Sequence, residues 1–234
     1  MTPLSKQARI AGFLYLLDAV AAPLRLIYIP ATLIVSGDAA ATAGNIVAHE
    51  TQFRMGIASD LFCGVIEIFL VLALYRLFKG VNRQRAVLMV ILGVMTVPLF
   101  FINVLNDSAA LMLAKGTDLM PAFDRSQLQA LAGLFLRLHR QEILAAEIFY
   151  GLWLFPLALL VLRCGFLPRF LGVWLLANGG AYLALSFTGL LLPQYESTVT
   201  TLVFPAQVGE LAFIVWLLVM GASWRQRAEA APFP

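Results

Sequence analysis

The sequence predicts an all-α fold, an integral membrane bundle of six transmembrane helices, and two observations carry that prediction. Hydrophobic residues fill 61% of the 234 positions and charged residues only 12%, against about 25% charged in an ordinary soluble domain. Mean hydropathy is +0.87. The apolar residues are also gathered into six stretches, each close to the ~20 residues a helix needs to cross a bilayer core of about 30 Å. This composition leaves too little polar surface to clothe a water-soluble globule, which excludes a soluble enzyme, a disulfide-stapled secreted domain and a disordered tail. Strands are not expected, because open sheet edges go unsatisfied in lipid and no alternating ten-residue pattern occurs.

The first span covers 8–35. Lys6, Arg9 and the later Ala19-Val20-Ala21 are like a secretory signal, but the apolar run continues past them and Pro23 would follow the cut. The expectation is an uncleaved span. The second and third spans cover 53–77 and 86–113. Ahead of the fourth span, 142–162, Leu128, Leu131, Leu134, Phe135 and Leu138 recur at helical spacing, with Gln127, Gln129, Arg137 and Arg140 on other faces. That pattern predicts an interfacial amphipathic helix, N-capped by Asp124 or Ser126. The fifth span covers 167–192 and the sixth 200–224. No internal repeat or linker divides the chain, so 1–234 reads as a single domain.

Lys and Arg are distributed unevenly. With the N-terminus inside, Lys6, Arg9, Arg76, Lys79, Arg83, Arg85, Arg163, Arg169, Arg225 and Arg227 fall on the inner side, and the outer loops hold only Lys115 and Arg125, apart from Arg137 and Arg140 on the interfacial stretch. The first outer loop, 36–51, has neither residue type. Positive charge favours the cytoplasmic side, so both termini are expected there. The net charge of +3 is thus accounted for by loops at an anionic surface. With no basic stripe or recognition motif, no nucleic-acid partner is expected. Cys63 and Cys164 suggest neither a disulfide framework nor a metal cluster.

Ionisable groups inside spans are costly, tend to face the protein interior and mark functional candidates. Here they are numerous. Asp18 and Arg25 lie seven residues apart in the first span, sharing a face at about 10 Å along the axis. Asp60 and Glu67 repeat the spacing in the second. Asn103, Asn106 and Asp107 form a stripe in the third, His139, Glu142 and Glu147 fall on one side of the fourth, Asn178 lies within the fifth, and Gln207 and Glu210 lie in the sixth. With the stated orientation, Arg25, Asp60, Asp107, His139 and Glu142 belong to the outer half, and Asp18, Glu67, Asn178 and Glu210 to the middle. Convergence of these faces would make an acidic, outward-facing pocket from Asp18, Arg25, Asp60, Glu67, Asp107, Glu142, Glu147 and Glu210. So many carboxylates cannot all stay ionised side by side in low dielectric, so they must share protons, pair with arginine or hold a cation. Asp18 with Arg25 and Asp60 with Arg54 are the pairings the spacing offers.

His139 and Glu142 stand at i, i+3, which puts two ligands on one helix face. With Glu147 they form a candidate site for a divalent metal, and Asp107, Asp60 or His49 could complete it. Two histidines are too few for a three-histidine zinc hydrolase, and a carboxylate-rich site favours manganese, iron or calcium. Nucleophile elbows, phosphate loops and dinucleotide fingerprints are lacking. The tyrosines and tryptophans read mostly as belt and packing residues, and Gly172, Gly179 and Gly180 as points of close helix approach.

Three stretches carry a resemblance. One is Gly37-Asp38-Ala39-Ala40-Ala41-Thr42-Ala43 with Asn45-Ile46, then Phe53-Arg54-Met55-Gly56 and Asp60-Leu61. Another is Leu138-His139, Phe149-Tyr150-Gly151 and Gly165-Phe166-Leu167-Pro168-Arg169-Phe170-Leu171-Gly172. The last is Pro205, Val208-Gly209-Glu210 and Trp216-Leu217-Leu218. Together they resemble the bacterial multi-span family called "domain of unknown function 4386" over nearly the whole chain. The resemblance implies a bacterial membrane protein with a shared bundle, brings no assigned activity, and matches family motifs at Asp60, His139 and Glu210. After His139 the chain departs from the pattern, with Arg140-Gln141-Glu142 and Glu147 in place of more apolar sequence.

The leading expectation is an inner-membrane protein that binds or carries a small cationic or protonatable ligand, with proton coupling through Glu67 and Glu210. The alternatives are a metal-dependent membrane enzyme and a non-catalytic accessory subunit. The expected partners are the lipid bilayer, a small-molecule or cation ligand, and a second copy or another subunit of a membrane complex.

Overall fold

In lipid, a spanning chain must satisfy its backbone internally, and helix does so within one segment. The computed structural model, which describes residues 2–116 and 122–222, is helical accordingly, with no strand among the described residues. Helix α1 (Pro3–Pro23) runs into a single π turn (Leu24–Tyr28), where the Ile29 N–H reaches back to the Leu24 carbonyl, and continues as α2 (Ile29–Leu33). Pro23 and Pro30 flank the turn. Neither has an N–H to donate, so the hydrogen-bond ladder is interrupted on both sides of it. Then come α3 (Ala39–Ala48), α4 (Glu50–Phe78), α5 (Arg83–Val94), α6 (Val97–Lys115), α7 (Arg125–Cys164), α8 (Arg169–Leu191), a 3₁₀ turn (Pro193–Tyr195) and α9 (Glu196–Val219).

Among the described residues, six segments are long and apolar enough to span a membrane: Pro3–Leu33, Glu50–Phe78, Arg83–Lys115, Arg125–Cys164, Arg169–Leu191 and Pro193–Val219. Their outward side chains include Val20, Leu105, Leu191 and Leu202, each about 70% exposed, a surface suited to hydrocarbon rather than water. This is the all-α membrane fold that the sequence predicts. The expected end of the sixth span at Trp224, with Arg225 and Arg227, lies outside the described residues.

Two elements differ from expectation. The stretch 36–51, expected as a loop, contains helix α3, because Asp38 caps it by accepting the Ala41 N–H at 2.8 Å and three alanines follow. The amphipathic stretch before the fourth span is not a separate helix. Arg125–Cys164 is one continuous helix of 40 residues, and Leu128, Ala132 and Leu136 on its first turns are buried against the protein. The face that reads as membrane-seeking is in that part a packing face.

The described residues pack as two compact units. Unit 1 comprises Met1–Leu17, Ile66–Val97 and Leu144–Pro234, and unit 2 comprises Asp18–Val65 and Pro98–Ile143. In unit 1, the 3₁₀ turn reverses the chain so that α8 and α9 pair antiparallel. The Trp174 indole N–H donates to the Pro205 carbonyl at 2.9 Å, and Gly209 leaves room for that ring, since a Cβ there would stand 2.7 Å from Trp174 Cδ1. Gly151 and Gly179 bring two backbones together: a Cβ on either would lie 2.6–3.0 Å from the other's carbonyl oxygen. Gly172 and Gly179 are close-approach positions as expected, whereas Gly180 faces open space. In unit 2, the core is built from Ile29, Leu33, Ile46, Phe53, Ala110, Leu111 and Leu136.

Candidate functional site

Each unit buries a polar cluster, and the two are built differently. In unit 2, the π turn carries Arg25, which is 2% exposed. Its aliphatic stem passes over Gly56, where a Cβ would stand 3.2 Å from Arg25 Cδ. Its guanidinium lies 5.9 Å from the Phe53 ring centroid. Helix α6 supplies Asp107, fully buried, which accepts from Arg25 Nε and, at 2.6 Å, from Nη2. This two-point pairing fixes the carboxylate plane.

Helix α7 supplies His139, 3% exposed, and α4 supplies Asp60, 5% exposed. His139 Nδ1 lies 3.1 Å from Asp107 Oδ1, yet neither ring nitrogen makes an aligned hydrogen bond, and Asp60 Oδ2 has none either. One donor atom from each of Asp60, Asp107 and His139 falls within 4.8 Å of the others. One turn further along α7, Glu142 accepts a hydrogen bond from Asn103. At the edge of the same unit, Glu50 pairs with Lys115 at 2.9 Å and with Arg54 at 2.8 Å. Arg54 therefore pairs with Glu50 rather than with Asp60. Asp124, at the start of α7, accepts from the Ser126 hydroxyl and the Gln127 N–H. These donors hold its carboxyl below the usual carboxylate range.

In unit 1, Glu210 of α9 accepts from three neutral donors: the Tyr15 hydroxyl, the Asn178 amide at 2.7 Å and the Tyr182 hydroxyl at 2.9 Å. Aromatic rings surround these donors. Tyr15 lies 5.9 Å from Trp153 and 6.4 Å from Phe213, centroid to centroid, and Tyr182 lies 6.0 Å from Tyr150. Glu67, 7% exposed, is accommodated by Gly93, where a Cβ would come within 3.3 Å of Glu67 Oε1. Glu147 lies in the same unit with Oε2 unpartnered.

The predicted residues are thus distributed. Arg25, Asp60, Asp107 and His139 form one group, with Glu142 and the half-buried Asp18 in the same unit. Glu67, Glu147 and Glu210 belong to unit 1. The candidate metal trio of His139, Glu142 and Glu147 accordingly draws on both units, and the compact donor set is Asp60, Asp107 and His139. The sequence reading does not place Tyr15 and Tyr182 beside Glu210, grouping them instead with belt and packing aromatics. Tyr182 offers a signal in retrospect: it lies well inside its span, where an interfacial belt does not account for it.

Comparison with known families bears on both clusters. A family model described as Domain of unknown function (DUF4386) matches residues 10–221. The chain belongs to the DUF4386 family. The match includes every side chain of the two clusters, so both lie within the DUF4386 domain and neither is an appendage to it. No curated protein and no solved structure matches the chain.

Proposed function

We propose that this DUF4386 protein binds or carries a small cationic or protonatable ligand, an amine being the simplest class, with Glu210 as its counter-charge. One observation supports the reading. The Glu210 carboxylate is met by neutral donors alone, and among the described residues no basic side chain stands within ion-pair distance of it. An ionised carboxylate in a low-dielectric interior is costly without a positive charge, so a cation or a proton completes the site. The rings of Tyr15, Trp153, Phe213, Tyr150 and Tyr182 add electron-rich faces of the kind that attract organic ammonium groups. Two hydroxyl rotors can turn to follow a change of charge on the carboxylate. The excess of Lys and Arg on the inner side supports cytoplasmic placement of both termini, and the family resemblance supports a bacterial inner-membrane location.

Thermal stabilisation of the detergent-purified protein by a panel of primary to quaternary amines tests the reading. At least one amine should raise the melting temperature in a saturable way, and Glu210→Gln should abolish the effect while Tyr15→Phe weakens it. An unchanged response in both Glu210→Gln and Glu67→Gln would sink the proposal.

A further inference from the structure

We infer that unit 2 contains a binding site for one divalent transition-metal ion, with Asp60, Asp107 and His139 as its ligands. The inference stands apart from the amine reading, which rests on unit 1. Three helices, α4, α6 and α7, each contribute one side chain, and all three side chains are at least nine-tenths buried. Burying a carboxylate oxygen and both imidazole nitrogens without hydrogen-bond partners is unfavourable by about 1–3 kcal/mol per group. These atoms are Asp60 Oδ2, His139 Nδ1 and His139 Nε2. A fold that keeps such groups together has a reason to hold them for a third species.

The spacing fits that species. Two ligands at about 2.1 Å from one metal stand roughly 3 Å apart when adjacent and about 4.2 Å apart when opposite. His139 Nδ1 and Asp107 Oδ1 are 3.1 Å apart, the separation of two adjacent ligands on one metal. The three donor atoms together span no more than 4.8 Å, so small torsional adjustments close the set.

The donors also narrow the metal. Two carboxylates and one imidazole suit manganese(II) or iron(II), while the nitrogen ligand disfavours calcium and magnesium, and the set contains no thiolate to select copper(I). Arg25 acts here as a positioning residue. Its two-point grip orients Asp107 and leaves lone pairs on both oxygens.

The experiment is manganese(II) binding to the full chain in detergent, read by metal analysis after gel filtration and by electron paramagnetic resonance. One equivalent per chain is expected, with a signal altered from that of the hydrated ion. Asp60→Asn and His139→Gln should each weaken binding on the order of 100-fold, and Glu210→Gln should leave it unchanged. Circular dichroism and a monodisperse elution profile confirm that each variant is folded. If Asp60→Asn does not fold, His139→Gln alone decides. Failure of the wild type to retain manganese or iron, or equal uptake by wild type and folded variants, overturns the site. Loss of amine binding with metal binding intact would count against the unit 1 reading only.

Discussion

The two buried clusters place carboxylates in similarly apolar surroundings and treat them in opposite ways. In unit 2, Asp107 is answered by a full positive charge, Arg25, and its neighbours Asp60 and His139 keep atoms without hydrogen-bond partners. In unit 1, Glu210 is answered only by dipoles, those of Tyr15, Asn178 and Tyr182. The first arrangement neutralises one carboxylate and leaves adjacent atoms without hydrogen-bond partners. The second satisfies hydrogen bonds but leaves charge uncompensated. Hydrogen-bond satisfaction and charge compensation are separate requirements in a low-dielectric interior, and each cluster meets one more fully than the other.

The largest effect that distinguishes them is expected from Arg25→Met. Removing the guanidinium strands a fully buried carboxylate, at about 3–5 kcal/mol, measurable as a lowered unfolding midpoint in detergent with added denaturant. Tyr182→Phe in unit 1 removes one of three neutral donors and should cost about 1–2 kcal/mol in the same assay. If the tyrosine variant loses as much as the arginine variant, the contrast between charge and dipole fails. Between these lies Gly151→Ala, at about 1–3 kcal/mol. Its methyl would press on the Gly179 carbonyl, which belongs to a helix backbone and cannot rotate aside. This variant asks whether the unit 1 cluster depends on helix contact as much as on its donors. Amine-induced stabilisation that survives Gly151→Ala would locate the dependence in the donors.

How far the molecule could be read from its sequence depends on the range of the interaction concerned. Spans are local: an apolar run of sufficient length is a helix in lipid whatever its neighbours, and all six were legible. Helix α3 was legible as well, in Asp38 followed by Ala39, Ala40 and Ala41, but the need for a loop between two spans obscured it. The choice of polar candidates also followed from local chemistry, since buried ionisable residues are costly wherever they occur. Partnership was not legible. Arg25 and Asp107 are separated by 82 positions, and Tyr15 and Glu210 by 195, and no spacing rule operates over such distances. The i, i+3 rule favoured Glu142 as the companion of His139, whereas the carboxylate oxygens gathered within 4.8 Å of His139 belong to Asp60 and Asp107 on other helices.

The π turn at Leu24–Tyr28 amounts to a helix with one residue too many, and this gives the first span a dependence on length that composition does not reveal. Deleting one residue next to the turn, such as Ile27, would let the chain wind as plain α-helix. The helix on either side would keep its register, because the turn is what absorbs the extra residue, while side chains within the turn would shift by up to one position, about 100° around the axis. The deletion would preserve Arg25, Asp107 and the hydropathy of the span, and still swing the guanidinium away from its carboxylate. In this first span, the position of that arginine is encoded by counting residues as much as by naming them.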